Sequence, residues 1–194
     1  MSVYGKHGVT KDTPKNVLFG AGTIHRDLKF EGGSWNFAES IVGATSGGSK
    51  LDIVPVITEI EIDGALVPVK LLTNQKTGET ATMEINFIEL TDDVMKAALI
   101  AESGNSEDAS YSLLESKGSI EAGDYWDNVA FVGKNLEGEN IIAILPNALC
   151  TSGLSLDSKN KEASKPAVTF VCTAELEGDL DKLPWQIYKP TKSA

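Results

Sequence analysis

The chain is short of the residues that do most metal and covalent chemistry, with two histidines and two cysteines among 194 residues. No HxxxH or CxxC spacing occurs, which removes the common zinc patterns. Cys150 and Cys172 are read as buried thiols of a cytosolic product rather than as a disulfide. No stretch approaches the roughly 18 consecutive apolar residues of a membrane-spanning helix. The opening MSVYGKHGVTKD lacks the apolar run of a secretory signal, so the expectation is synthesis in the cytoplasm and no membrane association. Basic residues are scarce too: 17 against 28 acidic ones, a net charge of −11 and a pI near 4.6. A chain this acidic does not hold nucleic acid by neutralising phosphates. The same acidity also serves solubility alone.

Catalytic patterns are equally thin. His7 falls in a polar N-terminal stretch, and His25, beside Arg26 and Asp27 in an alternating run, reads as a strand residue. Gly20-Ala-Gly22 leads into strand and lacks the third glycine of a dinucleotide loop. Gly5-Lys6 and Gly133-Lys134 are followed by His and Asn, which excludes a P-loop. Lys76-Thr-Gly78 resembles one motif of the penicillin-binding enzymes, but the lone Ser-x-x-Lys, from Ser158 to Lys161, comes after it, the wrong order. The acidic pairs Glu59/Glu61 and Asp92/Asp93 have structural explanations, on a solvated strand face and at a helix start. The reading is therefore not an enzyme, with no catalytic residues, no cofactor and no metal.

What is there is mostly period-two alternation, the mark of strands. Short strands are expected at 16–20 and 23–30, around an Ala-Gly turn. A long strand at 51–62 meets Asp63-Gly64, a dipeptide favoured in two-residue hairpin turns, and 65–72 is expected to return as its partner. In the strand at 80–87, Ala81, Met83, Ile85 and Phe87 share one face, opposite Thr80, Thr82, Glu84 and Asn86: one dry side and one acidic, wet side. One helix is expected after an N-cap at Thr91, with Asp92 and Asp93 at its positive end, and an end near Gly104. Mixed strand signals follow to Ile120. A hairpin is expected at 128–132 and 140–145, a polar loop at 155–165, a strand at 167–176 and a closing segment at 183–188. Between 31 and 50 lies a Gly/Ser-rich stretch too long for an ordinary connection, with apolar anchors at Trp35, Phe37, Ile41 and Val42. It reads as a flexible loop that packs against something: another subunit or, for Trp35 and Phe37, the chain's own core. The fold class is mostly β, a β-sandwich or partial barrel with one flanking α-helix.

The order of Ser46-Gly-Gly-Ser-Lys-Leu-Asp-Ile-Val-Pro55, IEIDGA (60–65), ETATMEINFIELT (79–91), a short helix with AAL (97–99) and DLDKLPWQIYK (179–189) resembles the major tail tube proteins of long-tailed, siphovirus-type bacteriophages and their prophage relatives. The resemblance spans about residues 16–188 and rests on loop, hairpin and helix signals in order, least well matched at 103–120 and 155–165. It implies a single tail tube-like domain over 1–194, with a flexible N-terminal arm (about 1–15), the long loop (about 31–50) and a C-terminal arm (about 189–194). It implies a structural virion protein, made in the host bacterial cytoplasm, that self-assembles into hexameric rings stacked as a hollow tail tube. The tube would conduct duplex DNA into the host without specific binding. Tape measure, tail terminator and baseplate or initiator proteins are the implied partners. About 24 strands at roughly 4.8 Å spacing, tilted by about 40°, give a backbone diameter of about 48 Å, wide enough for duplex DNA. On this reading Trp35, Phe37, Ile41, Val42 and Lys50 mark an assembly loop, and Glu59, Glu61 and Glu84 are candidates for an acidic lumen wall that repels phosphates.

A different class fits part of the same sequence: a monomeric β-sandwich binding module that recognises carbohydrate or a cell-surface ligand on a platform of the three tryptophans. The two readings separate on self-assembly.

Overall fold

The computed structural model describes residues 8–191. His7, the first seven residues of the expected N-terminal arm and the last three of the C-terminal arm lie outside them. The protein is mostly β. In chain order the elements are helix α1 (Thr13–Asn16), β1 (Leu18–Arg26), β2 (Phe30–Glu31), β3 (Ser34–Trp35), α2 (Phe37–Ser40), β4 (Thr45–Glu59), β5 (Asn74–Phe87) and α3 (Asp92–Leu99). There follow β6 (Ala101–Gly104), β7 (Leu113–Ser116), a 3-10 turn (Ala122–Asp124), β8 (Trp126–Asn135), β9 (Asn140–Cys150), β10 (Ala167–Cys172) and β11 (Gln186–Tyr188).

Seven strands form one antiparallel sheet in the order β1-β8-β9-β10-β5-β4, with β11 pairing β9 beside β10. The segment just before β4 reaches β1 at the other end of the sheet: the Val42 N–H donates to Ile24 O at 3.0 Å and Ile41 bridges His25. The sheet thus curls toward a partial barrel, with β1 near β4 but no ladder between them. Its interior is filled by Met83, Ile85, Phe87, Leu145, Val168 and Phe170, each 1 % exposed or less. Helix α3 seals it with Val94, Ala97 and Ala98. The alternation foreseen for β5 places Ala81, Met83, Ile85 and Phe87 in this core. A second, smaller core of Leu28, Ala130, Val132, Ile142 and Ile144 lies apart from it, with Trp35 and Phe37 packed against it.

Local chemistry explains the boundaries. Thr91 Oγ1 accepts from the Val94 N–H at 3.3 Å and caps α3. The helix stops at Leu99 rather than near Gly104, because Ile100 turns left-handed (φ 49°) and β6 begins at once. The two short strands expected before residue 30 are one strand, β1, whose register shifts between Phe19 and Thr23. Gly22 allows this: a Cβ there would lie 2.3 Å from the Phe131 ring. In the turn after β8, Asn135 Oδ1 accepts from the N–H groups of Glu137 and Glu139 at 3.0 and 2.9 Å. Its amide donates to Lys15 O at 3.2 Å, which ties α1 to the same corner.

Candidate assembly surfaces

Hairpin β4–β5 and its connection carry four of the eight candidate residues, Lys50, Glu59, Glu61 and Glu84, and the two halves of the hairpin differ. In the inner half the cross-strand pairs Leu51–Met83 and Ile53–Ala81 turn inward. The alternate pairs Lys50–Glu84, Asp52–Thr82 and Val54–Thr80 occupy the other face. Beyond the register shift after Val56 every β4 residue is exposed. The ladder ends at Glu59–Asn74, and a connection from residue 60 to 73 follows. Asp63-Gly64 does make a turn, with Gly64 at φ 83° and the Ala65 N–H donating to Ile62 O at 3.0 Å. Residues 65–72 are not the return strand, however. Pro68 lacks the N–H that a ladder needs, and β5 supplies the partner instead.

That connection is the apolar feature the sequence reading missed. Leu66 is 97 % exposed, Leu71 87 %, Val67 70 % and, on adjoining β4, Ile57 62 %. Apolar residues without alternation around a proline were the signal that could have found it. Strand β4 is also terminal in the sheet, with all its ladder pairings to β5, so its outer edge is open to another strand. Pro55 sits within it, where an edge strand tolerates a proline.

The expected acidic wall is dispersed. Glu59, Glu61 and Glu84 are all exposed. Glu84 pairs with Lys50 near one end of the hairpin, whereas Glu59 closes the ladder at the other and Glu61 lies in the connection. At about 3.3 Å per residue, Glu59 and Glu84 stand about 30 Å apart. Lys50 Nζ lies 2.6 Å from Asp52 Oδ2, and this hydrogen bond, with the Asp52 charge, raises its pKa. The positive charge sits amid the acids of that face.

Residues 31–50 do not form one loop. They contain the last residue of β2, all of β3 and α2, and the first six residues of β4. The Gly/Ser run enters the strand as a bulge, with Gly47 and Gly48 at φ 95° and 86° and the Asn86 amide donating to Gly48 O at 3.1 Å. Trp35 and Phe37 pack on the protein's own second core, Val42 packs on the main one and Ile41 stays 51 % exposed. Thus, of the five loop residues, Ile41 and Lys50 remain on the surface.

The tryptophans do not converge on a platform. Trp126 is 3 % exposed and tilts over Phe170 at 4.5 Å, Trp185 packs against the main core, and Trp35 meets Phe30 and Tyr188 edge to face at 5.3 and 5.1 Å. A cavity of about 570 Å³ runs along residues 155–167 and is lined by Asp157, Lys159, Glu162 and Lys165 among others. Among the described residues, no group of three His, Cys, Asp or Glu side chains is placed to hold a metal, and no helix is long and apolar enough to cross a membrane. Cys150 and Cys172 are free and buried, and burial pushes the Cys172 thiol up to about 11. No protein-family model matches the chain, and no curated protein matches it.

Proposed function

We propose that this protein is a structural subunit that assembles with copies of itself into stacked rings, forming the hollow tail tube of a long-tailed bacteriophage. The observation that carries the reading is the apolar connection between β4 and β5. Its leucines and valines face solvent at the end of a long hairpin, and surface of that kind serves contact with another chain. The open edge of β4 supports the same conclusion, since pairing it with a neighbouring subunit removes the edge. The charge argues for a protein partner over phosphate-rich ones: at −11 the chain is repelled by duplex DNA and by anionic lipid. DNA then passes through the tube unbound, and tape measure, terminator and initiator proteins are the further partners of the virion tail. The hexameric state follows from the family resemblance.

Negative-stain electron microscopy of concentrated protein, with light scattering on the same sample, tests the reading. Rings or hollow tubes are the expected outcome. A species that remains monomeric with and without tail-tip initiator proteins, while binding a glycan array, points instead to the carbohydrate-recognition module.

A further inference from the structure

His25 stands outside everything the assembly reading uses, yet it sits at the point where the curled sheet closes. It is 1 % exposed, and its ring nitrogens meet two hydroxyls: Nε2 lies 2.7 Å from Thr23 Oγ1 and Nδ1 lies 2.8 Å from Ser40 Oγ on α2. Ser40 Oγ donates its one proton to Asn36 O at 2.9 Å, so it accepts from His25 Nδ1–H, and Nε2 then accepts from Thr23. The neutral ring completes this chain of bonds. A protonated ring would turn Thr23 from donor to acceptor, leaving its proton only Val132 O at 3.5 Å.

The charged groups around the ring do not rescue the cation. Just past β1, Asp27 is engaged by Arg26 at 3.1 Å, and Arg26 also reaches Asp93 at 3.3 Å. On α2, Glu39 is exposed and lines the cavity shared by Arg26, Asp27, Ser40 and Asp93. On β8, Ala130 is the cross-strand partner of His25, and Asp127 on that strand pairs with Lys29 at 3.7 Å. Phe37 presents its ring 5.8 Å away, edge-on. Burial accordingly lowers the His25 pKa from the ordinary 6.5.

From this geometry we propose that His25 is an acid-released latch: neutral, it pins the strap of residues 28–42 to β1; protonated, it lets the strap lift, uncovering the second core and opening the seam between β1 and the segment that leads into β4. Through Ser40 it holds α2, and through the adjoining Ile24–Val42 and His25–Ile41 contacts it holds the seam. The sign follows from the lowered value. The latch holds fully above about pH 6.5 and weakens as pH falls below it.

Amide hydrogen exchange of the full chain, followed at residues 36–42 and corrected for intrinsic rates, tests this between pH 7.5 and 5.0. The opening equilibrium is expected to rise by up to about 30-fold in the native protein, the ceiling set by an open-state histidine titrating near 6.5. His25→Gln, which keeps a donor and an acceptor but does not titrate, is expected to stay flat. An NMR titration of the native His25 ring covers the case in which that variant fails to fold: its midpoint is expected below 6.5 and shared by the strap amides. Equal opening at both pH values, a glutamine variant that follows the native profile, or a ring midpoint at or above 6.5 would each overturn the latch.

Discussion

Strands β8 and β9 are covered on both sides, by the main core and by the strap over the second core, whereas the outer half of the β4–β5 hairpin is bare. Both regions are rich in apolar residues. In β8–β9 Val129, Ala130, Ile144 and Leu145 are at most 5 % exposed, and their energy is already spent on folding. In the 60–73 connection the same residue types remain in water, so whatever their burial contributes is available to association. Apolar content alone does not separate a core from an interface; the pairing ladder does, and it stops at Glu59–Asn74.

Substitutions sort along the same line. The largest expected effect is at Phe170, 1 % exposed and tilted against Trp126: Phe170→Ala should lower unfolding stability by about 3–5 kcal/mol in urea titration. Thr91→Ala, which removes the cap of α3, should cost about 1 kcal/mol in the same titration. Acid probes a third contact. Burial works to raise the Asp124 carboxyl, but the Glu121 N–H and the Lys117 ammonium, 2.6 Å away, outweigh it and hold its pKa below the usual 3.8. Its contribution is therefore present above pH 3.8 and lost as pH falls below it. Asp124→Asn should flatten that part of the stability profile, measured by thermal melts.

Legibility in the sequence followed periodicity. The alternation of residues 80–87 revealed which face of β5 is buried, because one face of that strand meets water and the other does not. Thr91 with two aspartates behind it marked the start of α3, a local signal with a local cause. The strap was not legible. Its glycines suggest a loop, but whether Trp35 and Phe37 cover their own chain or another depends on a core formed by residues about 100 positions away. The hairpin misled for the opposite reason: Asp63-Gly64 does turn, but a turn does not set register when the residues beyond it cannot form a ladder. Glu59, Glu61 and Glu84 look like one acidic face in one dimension; pairing distributes them along the hairpin and sets Lys50 beside Glu84.

The smallest expected effect on stability is the most informative for function. Leu66 and Leu71 are almost wholly exposed, so Leu66→Asp with Leu71→Asp should change unfolding stability by no more than about 0.5 kcal/mol each. The same pair places two further negative charges on the connection of an already acidic chain. If that surface is where subunits meet, ring or tube formation seen by electron microscopy should be abolished while the monomer melts as before. Phe170→Ala makes the opposite pattern, a weaker fold with its association surface intact, whose residual folded fraction still assembles. A double aspartate variant that assembles normally would move the interface away from the 60–73 connection and leave the open edge of β4 as the surface to test next.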